Sequence, residues 1–363
     1  MRNNAGAWQA TGRTQRTRNG RMALLALLAG VGLLAAGGGR ALEQDEPTIA
    51  KDSIQITLVG SAAKRGFSIP GWRPYIEYRV NGPIASGSQL SAEFSLPTNK
   101  DWVKFDCETE ETEAGRWWRT ECGGDRVAGE KATVYTGPVN FSIRLRNELS
   151  GTNTTLFSGR FKVGLPPGAK PTDTSLFYVD EDWRVPIGYV YVAYDAGHRD
   201  NFLNVGFWYR GNPPDMSAHL FYQGKEIAKT SSAGNGALDW NPKKFQWGYA
   251  ECSFLGVYPN EVPEDGYDPK FGLSSHPGEY EVKVLIVGHL ARSIKFTAGA
   301  DGIADNGIAT ANKLGSKRVI VPVQVIGNQG PWNQQAWKTD AFYGNPLTGF
   351  TAIPPAAAAA AGK

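Results

Sequence analysis

The sequence predicts an all-β protein built as two tandem β-sandwich domains with a short mixed C-terminal extension. Three observations carry that prediction. First, 44 glycines and 22 prolines punctuate a chain of 363 residues, which favours short strands and frequent turns over long helices. Second, the segments between those turns alternate apolar and polar residues and are rich in Val, Phe, Tyr and Thr, the pattern of half-buried strands. Third, the order of segments recurs. Tyr78-Arg79-Val80-Asn81-Gly82-Pro83 returns as Tyr209-Arg210-Gly211-Asn212-Pro213-Pro214, each where a strand-like run meets a turn.

The first domain is expected over residues 52–164. Ile54–Val59 opens it, and in Arg73–Val80 the side chains of Ile76, Tyr78 and Val80 share one face against Glu77 and Arg79 on the other. Gln89–Leu96 and Trp102–Phe105 continue in the same manner. The acidic stretch Glu108–Gly115 reads as a loop between antiparallel strands, the second being Arg116–Cys122. Val139–Leu145 and Leu156–Val163 form the closing pair. A Pro/Gly-rich run from Gly164 to Pro171 marks a linker over residues 165–176.

The second domain, residues 177–299, repeats the series. Val185–Val192 alternates, Phe202–Arg210 ends on the second turn, and His219–Tyr222 and Phe245–Cys252 follow. Glu279–Leu285 and Arg292–Ala298 close the unit. Matches accumulate in order. Glu121-Cys122 falls on Glu251-Cys252; Phe141, Ile143 and Leu145 fall on Tyr280, Val282 and Val284; Phe161 and Gly164 fall on Phe296 and Gly299. The spacing drifts most between Cys252 and Glu279, where the second copy carries a longer surface loop. The final hairpin, Pro277–Leu285 followed by Gly288–Phe296, resembles the last two strands of immunoglobulin-like modules in exported proteins. The resemblance covers that hairpin only. It implies an immunoglobulin-like fold for the sandwiches and no activity.

Residues 300–327 are expected to hold a short helix, within Asp301–Leu314, and one added strand, Arg318–Ile326. Pro322 places that strand at a sheet edge or a bulge, because proline lacks a ladder donor. Residues 328–363 form an aromatic-rich tail ending in an alanine run that reads as disordered.

At the other end, residues 1–41 read as a signal peptide and 42–51 as a flexible lead-in. An Arg-bearing polar start, the apolar run Met22–Ala36 and small residues before Ala41 suit an export leader and its cleavage pocket. The run is short for a membrane span, which needs about 20 residues, and no membrane span is expected after cleavage. The formal net charge of +3 belongs to the leader. Six of the 38 Lys and Arg side chains, and none of the 35 acids, lie in residues 1–41, which leaves the remainder acidic by three charges. Without a basic tract, the body gives no reason to expect a nucleic-acid partner.

An exported chain tolerates disulfides, and three cysteines permit one. Cys107 and Cys122 flank the acidic stretch and form the candidate pair, leaving Cys252 over; three buried thiols are an equal alternative. No G-x-S-x-G, H-E-x-x-H or G-x-x-x-x-G-K-[ST] occurs, and His198, His219, His276 and His289 are widely spaced. No catalytic residue, metal ligand or cofactor is therefore assigned. The acidic runs Asp106–Glu113, Asp180–Asp182 and Glu264–Asp268 read as solvated loops rather than calcium sites.

The aromatic residues give the better functional lead. Trp117 and Trp118 are neighbours and face opposite ways in a strand, and Trp240 and Trp247 occupy the matching region of the second copy. Exposed rings of this kind stack on sugars, so these four are the candidate ligand-binding residues, against the competing expectation that a sandwich Trp fills the core. Trp332, Trp337, Phe342, Tyr343 and Phe350 are candidate partner-binding residues. The tail that carries them either folds back on the second sandwich as an aromatic clasp or donates its strand to an adjacent subunit.

The expectation is thus an exported, non-catalytic binding or structural protein of the cell envelope or extracellular space, whether periplasmic, cell-surface or secreted. Its partner is another protein or a second copy of itself. A carbohydrate-binding protein using surface Trp residues is the first alternative. A hydrolase without a visible motif is the second.

Overall fold

The computed structural model describes residues 46–61, 70–113, 117–123, 131–211, 215–230, 234–236, 247–314, 317–327 and 330–357. The expected signal peptide and Trp240 lie outside the described residues. The first sheet consists of β1 (Thr48–Ser61), β2 (Gly71–Asn81), β3 (Ser88–Leu96), β4 (Asn99–Glu113), β5 (Trp117–Cys122), β6 (Gly137–Asn147), β7 (Asn153–Gly164) and β8 (Tyr178–Val179). Across the sheet the order is β1-β2-β5-β4-β3-β6-β7-β8. In β2, Ile76, Tyr78 and Val80 are buried between half-buried neighbours, as period-two alternation requires.

β4 is long enough to serve two neighbours. Its first half pairs with β3, from Leu96↔Asn99 to Ser91↔Asp106, and its second half pairs with β5, from Cys107↔Cys122 onward. The change of partner at Asp106 and Cys107 curls the sheet into a nearly closed barrel, with β1 approaching β8 at the open side. Two expectations change here. Glu108–Glu113 is strand rather than loop, because the main chain keeps its pairing with β5 while the side chains of residues 108–112 stand in water. β1 begins at Thr48, inside the stretch read as a lead-in, because Ile49 and Ala50 are buried.

The second sheet contains β9 (Ile187–Asp195), β10 (Asp200–Arg210), β11 (Met216–Tyr222), β12 (Lys225–Thr230), β13 (Gly234–Gly236) and β14 (Trp247–Phe254). A two-stranded sheet of β15 (Val257–Tyr258) and β16 (Phe271–Gly272) lies in the longer loop. The large sheet resumes with β17 (Gly278–Ile286), β18 (His289–Gly299) and β19 (Gly302–Ile303). The four-residue helix α1 (Ile308–Ala311) precedes β20 (Val319–Val325). The order is β12-β11-β17-β18-β20-β9-β10-β14-β13, with β19 paired to β18.

β20 corrects the expectation for Pro322, since the strand stands between β18 and β9 and not at an edge. Val319–Pro322 pair with β9 and Val323–Val325 with β18. Pro322 falls at the changeover, where the loss of one ladder donor is tolerated.

Taken as rings, the two orders correspond strand for strand. β1-β2-β5 matches β9-β10-β14, β3-β6-β7 matches β11-β17-β18, β13 and β12 take the places of the two halves of β4, and β20 takes the place of β8. The first ring is open between β1 and β8, the second between β12 and β13. In both, the Tyr-Arg strand pairs with the Glu-Cys strand, and Tyr78 and Tyr209 are buried. The register slips between copies: Cys122 stands opposite Ile76 and Cys252 opposite Val205. A slip of this even size keeps the same residues inside.

One buried cluster fills the second sheet around Val205, Phe207, Cys252, Val282 and Ile294. The other is built on Trp72, Phe94, Phe141 and Phe161 of the first sheet and continues through Tyr189, Trp208 and Trp247 on the opposite face of β9, β10 and β14.

The tail departs from expectation. Its aromatic part folds onto the first sheet, not the second, through a 3₁₀ turn (Ala336–Lys338) and α2 (Ala341–Gly344). Tyr343 meets Phe141 edge-on at 5.8 Å, and Asn345 Nδ2 donates to the Ser158 carbonyl of β7 at 3.1 Å. The physical reason is the open side of the first ring, whose inward phenylalanines need cover. Phe342 and Tyr343 hold φ values of 45° and 59°, a left-handed strain that costs about 1–3 kcal/mol each and persists only where packing imposes it. Both rings are buried. The tail then returns to its origin, where Ala356 N–H donates to Val325 O at 2.9 Å and Gly327 N–H donates to Ala356 O at 3.0 Å.

Candidate functional site

The segment between β8 and β9 supplies the polar centre of the molecule. It makes a 3₁₀ turn at Asp182–Arg184, all three residues buried. The Arg184 guanidinium lies 4.4 Å from the ring centroids of both Trp183 and Trp208, a desolvated cation–π arrangement. Its Nε is 2.9 Å from Glu181 Oε1, and it donates to the Tyr343 hydroxyl at 2.9 Å and the Ile54 carbonyl at 3.0 Å. Tyr343 in turn donates to Glu181 at 3.0 Å. Burial is the largest influence and opposes the Arg184 charge, but the Glu181 carboxylate together with Tyr343 and Tyr189 outweighs it and holds the guanidinium above its ordinary pKa. Burial, above all, pushes the Tyr343 hydroxyl up.

Asp182 forms the other half of this seam. Its Oδ1 accepts from Trp247 Nε1 at 3.1 Å and lies 3.3 Å from Arg210 Nε, while Oδ2 accepts from Asn333 N–H at 2.7 Å. Burial raises its pKa despite the Asn333 hydrogen bond. Arg210 also donates to the Pro331 carbonyl and lies over the Trp247 ring at 5.1 Å. One network thus joins β1, β10, β14, the 181–184 turn and the tail. Its donors and carboxylates face one another, so what it does chemically is fix geometry.

This placement settles the surroundings of several candidate residues. Trp247 is buried with Nε1 bound to Asp182 and offers no ring face to a ligand. Trp118 is half-buried and donates to the Gly82 carbonyl at 3.1 Å. Trp117 begins β5, and its side chain lies outside the described residues. In the tail, Phe342, Tyr343 and Phe350 are buried, while Trp332 and Trp337 are half-buried against the same core. Cys107 and Cys122 are joined by a disulfide, and Cys252 is a buried free thiol. Among the described residues, no group of three His, Cys, Asp or Glu side chains is placed to hold a metal ion, and no helix is long and apolar enough to cross a membrane.

The outer surface of the first ring carries a second feature. An open cleft of 610 Å³ crosses β3, β4, β6 and β7, floored by Ser95, Asn140, Ser142 and Ser158 and rimmed by Lys100, Lys104 and Lys131. Glu93 inside it is held by Lys104 at 3.1 Å and Arg144 at 2.9 Å. Where β4 changes partner, the sign of the surface changes. Glu108 stands opposite Glu121, and Glu121 opposite Glu77, so three carboxylates share one outward face with Glu110 and Arg119. Arg119 is engaged by Glu121 at 2.8 Å and Glu77 at 3.7 Å.

Sequence reasoning missed Arg184 and the lysine cleft. Arg210 had a signal, the repeated Tyr-Arg motif. Arg184 had none beyond lying next to Trp183, since its partners Ile54 and Tyr343 are remote in the chain. Compared with models of known protein families, with curated proteins and with solved structures, the chain matches none.

Proposed function

We propose that the chain is an exported, non-catalytic structural or binding component of the cell envelope or extracellular space, built from two copies of one immunoglobulin-like sandwich. The observation that carries this reading is the seam. Arg184, Asp182, Arg210, Trp247 and Tyr343 are committed to one another across both sheets and the tail, an arrangement suited to holding a fixed shape. The matching ring orders support duplication, with β20 standing where β8 stands. Export is supported by the leader-like start of the sequence and by the Cys107–Cys122 disulfide, since such bonds persist in oxidising compartments.

The test is the mature protein recovered from its own host. Intact mass and N-terminal peptide mapping are expected to show a chain beginning at Leu42, outside the cytoplasm, with Cys107 and Cys122 oxidised. A cytoplasmic chain retaining Met1 and three thiols would remove the export reading. Turnover of any ester, peptide or glycoside in a hydrolase screen would remove the non-catalytic one.

A further inference from the structure

We infer that the first ring is a self-docking module, in which the acidic face at the far end of β4 of one copy seats in the lysine cleft of the next. The inference deepens the structural-component reading by naming the partner as a second copy of this chain.

Both surfaces lie on the outside of the same strand. Lys104, Asp106, Glu108 and Glu110 alternate with the inward Phe105 and Cys107, so even-numbered side chains of β4 share the outer side. The first half of β4 borders a basic surface. Lys100, Lys104, Lys131, Arg144 and Arg160 surround the cleft or its edge, against Glu93 and Asp101. Arg160 is taken by Asp340 at 3.3 Å, and Glu93 takes up Lys104 and Arg144, which leaves Lys100 and Lys131 to define the attraction at the rim. The second half of β4 reverses the sign, with Glu77, Glu108, Glu110 and Glu121 outnumbering Arg119 and, opposite it, Arg79.

The geometry favours docking as well as the charge. The acidic face lies on a hairpin whose side chains at residues 108–112 are exposed, and the hairpin is cross-linked at its base by the disulfide. β5 is also paired with β2 along its whole length, so the acidic face is the outer side of a pre-ordered stretch of three strands, β2-β5-β4. The opposing cleft is lined by small side chains, Ser95, Asn140, Ser142 and Ser158, which present hydroxyl and amide groups to carboxylates. Acidic face and cleft are different patches, so the contact is heterologous. Repetition of such a contact gives open chains or rings rather than a closed two-fold dimer.

Sedimentation velocity on the full chain tests this at about 0.01 M and about 1 M salt, between which the Debye length falls from about 30 Å to about 3 Å. The wild type is expected to associate at low salt and to dissociate at high salt. Two charge-reversed chains separate the surfaces: Lys100→Glu with Lys104→Glu and Lys131→Glu, and Glu108→Lys with Glu110→Lys. Each alone is expected to associate about a hundredfold more weakly, because like charges then meet. A mixture of the two restores association, because each reversed surface finds its complement on the other chain. A wild type that is monomeric at both salts overturns the inference, as does a reversed variant that associates as the wild type does. So does a monomer that grows only when an anionic polysaccharide is added, which would assign the cleft to that class instead. None of these outcomes bears on the mature N-terminus, so failure here leaves the export reading standing on its own test.

Discussion

Replacing Tyr343 by alanine is expected to destabilise the first ring from a position close to the other end of the chain. The side chain is 1 % exposed, and its ring meets Phe141 at 5.8 Å and Trp183 at 5.6 Å. Loss of a buried aromatic ring costs about 3–5 kcal/mol. Tyr343→Phe isolates the hydroxyl, which bridges Arg184 and Glu181. Hydrogen bonds to charged groups are worth about 1.5–3 kcal/mol. The lower end applies, because Arg184 keeps Glu181 and the Ile54 carbonyl. The expected series in urea is therefore wild type, then Phe lower by about 1.5 kcal/mol, then Ala lower by about 4 kcal/mol. Native-state hydrogen exchange supplies the location: amides of β1, β6 and β7 should lose protection in the alanine variant while β11 and β17 change less. An unchanged midpoint for Tyr343→Ala, or a loss spread evenly over both sheets, would refute the assignment of the tail to the first core.

Two further expectations concern the sulfurs. Replacing Cys107 and Cys122 together by alanine opens a loop with a sequence separation of 15 and should lower stability by about 3 kcal/mol; a change below about a third of that in urea unfolding would show that the hairpin is held by its ladder alone. Burial pushes the Cys252 thiol from 9.0 up to about 12. With the folded pKa above the unfolded one, the thiol's contribution to stability is whole below pH 9 and declines as pH rises toward about 12, by at most about 1.4 kcal/mol per pH unit. Alkylation at pH 9 should accordingly be slow in the native protein and complete in urea, and rapid labelling of the folded chain would contradict the burial.

Strand existence was legible because alternation is a local property. Ile76, Tyr78 and Val80 face inward, as their spacing requires, and the recurring Tyr-Arg and Glu-Cys pairs mark strands that do lie side by side in each sheet. What the sequence hid depends on distance. Glu108–Glu113 looked like a loop because its side chains are all polar, yet pairing with β5 involves the main chain only. Pro322 looked like an edge residue because the proline rule considers one strand with fixed neighbours, whereas β20 changes neighbours at that residue. The tail aromatics looked like a partner surface because nothing local reveals that the first ring is open between β1 and β8. Arg184 meets partners 130 and 159 residues away, beyond the reach of any periodicity.

The closing role of the tail also sets an order of events in time. Tyr343 lies 289 residues after Ile54, whose carbonyl it reaches. At a synthesis rate of about 5–20 residues per second, that interval lasts about 15–60 s. Until it ends, the side of the first ring between β1 and β8 stays uncovered, and unpaired strand edges invite pairing with other chains. The N-terminal half is therefore the last to be completed although it is the first to emerge. A chain cut short before Tyr343 carries its own defect in the half that was made correctly.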